Sequence, residues 1–387
     1  MKQQLLLVAL LVIVGAQLSA QLSVEKLDLS TYSPAEQRYK NLYFNTITDY
    51  TANLETFRNT ERTQVTTRFS GGFSSNFRVN GLSLQGSFQF ESRNYVFKKA
   101  PKFFLLADVS MGIEPVLFDE IQHNFTLSSG LGYGRIHVVN EVEVAERILA
   151  QLQKDENNHS DDYQTAVIDL ANLITELKNQ RWLTNRGEWK SDLSSILDFL
   201  AARGYDTTDE KIINAITKEY RSEALISRKS GTLISYRGTN SVNPSSVFSV
   251  SFSDLKTTEL SLGIDNNKYI SSKLQWDSKF SAKYGRRRFI LNNDLLHNST
   301  YWGLDFSTAL HYLPSKDSRF STTLNATYTK SADPLSVQYF GEEGFGISLG
   351  FEYEKRIGRN TRISVGAGFN YDQTNKFFIS PTIGLKF

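Results

Sequence analysis

The sequence predicts a membrane all-β barrel, antiparallel, of roughly 12 strands with 14 as the other even count, carrying an inserted α-helical subdomain of about four helices. Three observations predict it. From about residue 61 apolar and polar residues alternate with period two, in runs of ~9–12 residues or more that can cross a bilayer at a tilt. The chain begins with a segment built like an export signal. No later segment approaches the ~18 consecutive apolar residues a membrane-spanning helix needs, so a membrane location requires a closed ring of strands, where every backbone donor finds a partner.

Composition narrows the classes. The 387 residues carry a net charge of +2, no cysteine, 26 Phe and 18 Tyr. Without cysteine there is neither a disulfide scaffold nor a thiolate zinc site. The near-neutral balance argues against a nucleic-acid partner, which selects a basic surplus. The aromatics suit strands.

Taken in order, residues 1–20 read as a signal peptide. Lys2 is a thin basic start, Leu5 to Val14 is an apolar run of signal length, and Gly15 to Ala20 supplies a cleavage zone with the cut after Ala20. Leu18 is large for the −3 position, and an uncleaved anchor is the other reading. Residues 21–60 are expected to be a periplasmic segment, a plug or a first strand; Ser33-Pro34-Ala35-Glu36 offers a helix start. Residues 61–138 form the first part of the barrel. Leu82, Leu84, Phe88 and Phe90 share one face, as do Phe103, Leu105, Ala107, Val109 and Met111.

Residues 139–225 change period. Val142, Ala145, Ile148 and Leu149 mark one helix; Ala166, Val167, Leu170, Ala171 and Ile174 a second; Trp189, Leu193, Ile196 and Leu200 a third. Thr207-Thr208-Asp209-Glu210 reads as a capping box opening a fourth helix, with Ile212, Ile213, Ile216 and Tyr220 on its inner face. Four amphipathic helices can bury a common core, so this is a folded insert. Its side of the membrane turns on Lys229 to Arg237: a strand there puts the insert in the periplasm, a loop puts it outside, and the alternation favours a strand.

Residues 226–387 form the second part of the barrel. Trp302, Leu304, Phe306, Leu310 and Tyr312 share a face; so do Phe345, Ile347, Leu349, Phe351 and Tyr353, and again Ile363, Val365, Ala367, Phe369 and Tyr371. Short connections are expected at Val79 to Gly81, Ile264 to Lys268, Leu313 to Arg319 and Arg356 to Thr361, and longer ones at Gly285 to Asn298 and Lys330 to Gln338. Counted back from Phe387, the Arg356, Leu313 and Ile264 turns fall on one side and the longer loops on the other.

Few residues suggest chemistry. His297-Asn298-Ser299-Thr300 beside Asp294 contains the residue types of acyl hydrolysis, but neighbours in sequence seldom form a triad, and a polar loop is the favoured reading. His123 and His311 sit in strand-like runs. The five histidines show no metal-ligand spacing, and His159 with Glu156, Asp161 and Asp162 reads as a solvated link rather than a calcium loop. No cofactor is implied. Arg286-Arg287-Arg288, at the base of an expected outer loop, could bind lipid phosphates or select anions. Gly130 to Arg135 is a strand, not a phosphate loop.

The terminal run, with Phe377, Ile379, Ile383, Leu385 and Phe387 on one face, resembles the last strand of Gram-negative outer-membrane β-barrel proteins. Pro381 departs from that pattern and predicts a local bulge. The resemblance implies an outer-membrane location, recognition of this strand by the barrel-assembly machinery, and contact with outer-membrane lipids and lipopolysaccharide. The Ser-Ala-Gln signal ending and the helical insert resemble proteins of the Bacteroidota. The leading expectation is a non-enzymatic narrow channel or a structural component of an envelope complex, with 139–225 as a docking element for a protein partner. A lipid-modifying hydrolase of the lipid A deacylase or phospholipase type using His297 or His123 is the second reading, and a soluble secreted β-protein the third.

Overall fold

The computed structural model describes Leu29, Tyr32 and residues 36–45, 49–76, 81–97, 102–115, 120–152, 161–184, 189–221, 227–247, 252–291, 294–332, 344–357, 361–372 and 376–386. The expected signal peptide and Phe387 lie outside these residues. Among them fourteen strands form one closed barrel. They are β1 (Glu36–Asn45), β2 (Asp49–Thr60), β3 (Thr63–Asn76), β4 (Gly81–Asn94), β5 (Phe103–Pro115), β6 (Glu120–Val138) and β7 (Lys229–Val247). Then come β8 (Phe252–Ser271), β9 (Leu274–Leu291), β10 (Asp294–Ser315), β11 (Ser318–Ser331), β12 (Gly344–Arg356), β13 (Arg362–Asp372) and β14 (Lys376–Lys386). Each strand pairs antiparallel with its sequence neighbour, and β1 meets β14 at Asn45↔Lys386. Four helices interrupt the series between β6 and β7: α1 (Asn140–Leu152), α2 (Asp161–Thr184), α3 (Trp189–Ala202) and α4 (Glu210–Tyr220).

The exterior is apolar and open to its surroundings. Leu127, Leu262 and Phe351 are 47%, 46% and 46% exposed, where a water-soluble sandwich would cover such side chains with a second sheet. Aromatic rows frame the belt. At one end Tyr284 pairs with Trp302, whose ring lies 5.0 Å from Tyr328. At the other, Tyr312 pairs with Phe320, whose ring lies 4.7 Å from Tyr353. From Trp302 to Tyr312, ten steps of ~3.3 Å along a strand tilted by ~40° project to about 25 Å, the height of a membrane barrel's apolar band.

The connection carrying the helices lies at the end where β14 terminates, with the β8–β9, β10–β11 and β12–β13 connections; this is the stem end, and the opposite end is the far end. Lys229 to Arg237 is strand, the alternative that places the insert on the side of the chain's C-terminal strand.

Several expectations are corrected. The strand number is 14, the larger of the two even counts expected, because residues 21–60 supply two strands, β1 and β2, whose polar residues on both faces hide the period. Ile264 to Lys268 is no turn: β8 runs on to Ser271, since Asp265 and Asn267 belong to the lumen-facing series and can be polar. Gly285 to Asn298 is no long loop: β9 runs to Leu291 and β10 starts at Asp294. The short connection after Val79 is at the far end, so short turns are not confined to one side. Pro381 pairs with Ala367 without a register shift, so the expected bulge is absent. The fourth helix is capped by Asp209, whose carboxylate accepts from Lys211 N at 2.8 Å, while Asp206 takes the Thr208 amide; the nearer carboxylate displaces Thr207 as the cap.

Adjacent positions should therefore tolerate the same charge very differently. Leu262→Lys is expected to lower unfolding stability in phospholipid vesicles by about 2 kcal/mol or more, and Ser261→Lys, facing the lumen, by well under half of that. Equilibrium urea unfolding of the two variants measures the difference, and equal losses would mean the faces are misassigned.

Candidate functional site: the lumen and its closed end

The other half of the alternation lines the lumen, and it is charged on both sides of the ring. On one wall Arg68 donates to Glu55 at 3.0 Å and to Gln89 at 3.2 Å, and Arg93 donates to Gln64 at 2.8 Å. Arg237 on β7 comes within 3.7 Å of both Glu91 on β4 and Asp108 on β5. On the opposite wall Lys283 lies 3.1 Å from Asp305, Lys279 3.8 Å from Asp265, and Arg319 2.7 Å from both Glu352 and Glu354. Between the walls is a cavity of about 400 Å³ bordered by Glu55, Arg68, Arg237, Asp265, Asp277 and Lys279. Paired charges of both signs let such a space hold water and small polar solutes without a strong preference for either ion sign.

The stem end of this lumen is closed by the chain itself. β6 runs past its neighbour β5, and the end of β6 with the start of β7 folds inward. The bend uses Gly134 (φ 107°) and Gly231 (φ 129°), backbone shapes that strain residues with a side chain. A Cβ at Gly134 would also sit 2.1 Å from the Thr232 carbonyl oxygen. The folded stem is then tied to strands three to five places away around the ring. Gln64 Nε2 donates to Ile136 O at 2.8 Å, Gln37 Nε2 to Val138 O at 2.7 Å, and Arg135 Nη2 to Asn59 Oδ1 at 2.7 Å. Beneath the stem Tyr95, Phe104, Leu106 and Leu233 form a buried apolar cluster.

The helices complete the closure. Their common core joins Val142, Ile148 and Leu149 of α1 to Leu170 and Ile174 of α2, Ile196 and Leu200 of α3, and Ile216 and Tyr220 of α4. Two residues from outside the insert are part of it: Tyr32, which precedes β1, and Tyr269 at the end of β8. In a ring of fourteen, β1 and β8 face each other across the diameter, so the helical unit bridges the mouth. It reaches the rim again at the β10–β11 turn, where Lys316 Nζ is 3.4 Å from Glu219.

One buried arginine clasps helices to barrel. Arg228, the residue before β7, is fully buried. It donates to the carbonyls of Ser271 and Ser272 at 2.8 and 2.7 Å, stacks over Tyr269 at 5.1 Å, and lies 3.4 Å from Glu143 on α1. Burial raises the Glu143 carboxyl above the ordinary carboxylate range, against the pull of Arg228 and Arg147. Burial likewise raises the pKa of Glu146, which accepts a hydrogen bond from the Tyr269 hydroxyl. Tyr163 on α2 is pushed up to about 12, mainly by burial.

The residues singled out from sequence fall as follows. Alternation divides the arginine run: Arg286 and Arg288 are exposed on the exterior at the far end, whereas Arg287 faces inward, 4.1 Å over the Tyr301 ring. His123 is exposed on β6, and the side chain of His297 lies outside the described residues. His311, placed in a strand-like run from sequence but without a partner there, bridges β9 and β11: its Nδ1 is 2.8 Å from Ser321 Oγ and its Nε2 3.6 Å from Asp277. Ser321 is 6% exposed and Asp277 is also held by Gln275 at 2.8 Å, so this is a cross-strand link in the lumen wall, away from the lipid face a lipid hydrolase would use. Among the described residues no cluster of three or more His, Asp or Glu could hold a metal ion. Most of the linker containing His159 lies outside them. Gly130 to Arg135 is strand. Of the terminal series, Ile379 is 58% exposed, and Phe377, Ile383 and Leu385 occupy backbone positions in β14.

No family model and no curated protein matches the chain. Among solved structures it is similar to CdiB from Acinetobacter baumannii at 9% identity and a TM-score of 0.41, over 91% of this chain and 54% of that one. The chain thus spans about half the length of that protein. It is also similar to the beta domain of the Bordetella autotransporter BrkA (6% identity, TM-score 0.27, 91% and 98% covered) and to OmpT of Vibrio cholerae (7%, 0.30, 91% and 95%). Likeness at this level identifies neither a family nor an activity.

Arg228→Met should loosen the helices from the rim at a cost of about 1–3 kcal/mol, because Glu143 keeps Arg147 but loses its charged link to the barrel. Arg228→Met with Glu143→Leu should recover most of it. Hydrogen exchange of α1 reads both, with the strands unchanged. The raised Glu143 carboxyl sets a sign for pH. The folded state keeps a proton that the unfolded chain has lost, so helical stability should fall as pH climbs from about 4.5 through the raised value. Denaturation followed by Trp189 fluorescence across that range should show the fall, and Glu143→Gln should flatten it.

Proposed function

We propose that this chain is a non-enzymatic outer-membrane barrel that acts as a gated narrow conduit for small polar solutes, its stem and helices forming the gate on the periplasmic side. The observation that carries this reading is a polar, charge-lined cavity ending against a folded-in stem tied by single hydrogen bonds. A barrel serving only as a structural anchor has no need of a watery interior, and an apolar or side-chain-filled lumen would be more stable.

The outer membrane is supported by the export-like N-terminus, the ~25 Å apolar belt between aromatic rows, and the alternating terminal strand that the assembly machinery would read. With β14 ending in the periplasm, the helical insert lies there too, and its outward face is where an envelope partner would dock.

Opening the gate requires the stem to leave β1–β3. In planar bilayers the wild-type barrel should conduct rarely, whereas Gln37→Ala with Arg135→Ala should give frequent stepwise openings of weak ion selectivity. Silence in both, with hydrogen exchange showing a released stem in the variant, would leave the structural role as the better reading.

A further inference from the structure

The exterior surface at the far end of β8, β9 and β10 is graded in chemistry, row by row. In register across the three strands lie Lys256, Arg288 and Asn298; next Thr258, Arg286 and Thr300; then Leu260, Tyr284 and Trp302. Deeper rows hold Leu262, Ala282 and Leu304, then Ile264, Phe280 and Phe306. The order is basic, polar, aromatic, aliphatic. Lys330 on β11 stands beside Trp302, adding a fourth cation.

Neighbouring side chains on one face of paired strands stand about 5 Å apart. The cations Lys256, Arg286 and Arg288 therefore converge on one patch, and all three are exposed. Arg286 is oriented by its own hydrogen bond, donating from Nε to Asn298 Oδ1 at 2.6 Å, which leaves its terminal nitrogens directed elsewhere. Below it a groove of about 540 Å³ runs past Thr258, Leu260, Tyr284 and Thr300. Glu259 and Asp305 belong to the lumen-facing series, Glu259 accepting from Tyr301 and Asp305 lying beside Lys283.

We propose that this groove binds the phosphorylated headgroup of a lipid of the far leaflet, with Lys256, Arg286 and Arg288 on the phosphate and one acyl chain along Leu260, Leu262 and Ile264. Charge complementarity selects the anion, because guanidinium groups hold phosphate oxygens in a planar fork. The gradient selects a lipid over a free anion: cations one and two rows above an aromatic girdle stand at headgroup depth, and the aliphatic rows continue at acyl depth. The inference rests on the membrane reading above, and it corrects the role of the arginine run. Arg287, stacked on Tyr301 inside the lumen, takes no part.

The test uses the full-length barrel in nanodiscs of phosphatidylcholine doped with a phosphorylated glycolipid, with bound lipid counted by native mass spectrometry. Heat-modifiable gel mobility and protection from protease in the disc first establish that wild type and variants are inserted. Wild type should retain about one glycolipid per barrel. Lys256→Gln with Arg286→Gln and Arg288→Gln should lower retention roughly tenfold or more, whereas Lys273→Gln at the stem end should leave it unchanged, and inorganic phosphate at millimolar concentration should not displace the lipid. Equal retention in an inserted triple variant overturns the site while leaving the membrane reading intact. Displacement by inorganic phosphate overturns the lipid in favour of a free-anion site. A barrel that never inserts overturns both readings.

Discussion

A peptide group in hydrocarbon has no water to turn to, so each N–H and C=O along the membrane-crossing stretches must find its partner on a neighbouring strand. Most features of this protein follow from that. The strands pair in sequence order because adjacent hairpins satisfy the ladder at the least loop entropy. The series returns on itself where β1 meets β14 at Asn45↔Lys386. With the backbone consumed by the ring, side chains alone distinguish outside from inside, and period two is the only pattern available to them.

The same requirement decides where helices can go. A helical unit cannot interrupt a strand within the membrane without orphaning the ladder of its neighbours, so the insert occupies a connection at the end of the barrel. Once there, it is not independent of the ring. Its core includes Tyr32 and Tyr269 from opposite sides of the mouth, and Arg228 joins α1 to the β8–β9 turn through carbonyls, an aromatic face and Glu143. A buried cation of this kind is weak as a source of stability but strong as a determinant of position, since moving the helices away deprives the buried guanidinium of its carboxylate.

Lumen and exterior use charge in opposite ways. Inside, acids and bases are matched pair by pair across strands, which keeps the space polar without a large field. Outside, Lys256, Arg286 and Arg288 gather at the far end above the aromatic row, while Arg58, Lys268 and Lys355 stand toward the stem end. The arginine run shows the division within three residues: Arg286 and Arg288 face outward, and Arg287 inward onto Tyr301.

The period-two alternation, the absence of an apolar helix and the helical period of 139–225 were enough to read a barrel with a four-helix insert from sequence, because each depends on local spacing along the chain. Core residues such as Leu170, Ile196 and Ile216 were legible for the same reason. Strands polar on both faces were not: β1, β2 and the ends of β8 and β9 lack a period to read, so the choice between 12 and 14 strands stayed open and two connections were misplaced. The sequence also singled out the arginine run without telling which of its members share a face. Tertiary structure alone decided how the mouth is closed, which acids meet which bases, and that Lys256 stands beside Arg288. Those contacts join strands distant in the chain, and their partners are set by the register and closure of the ring rather than by any neighbour in sequence.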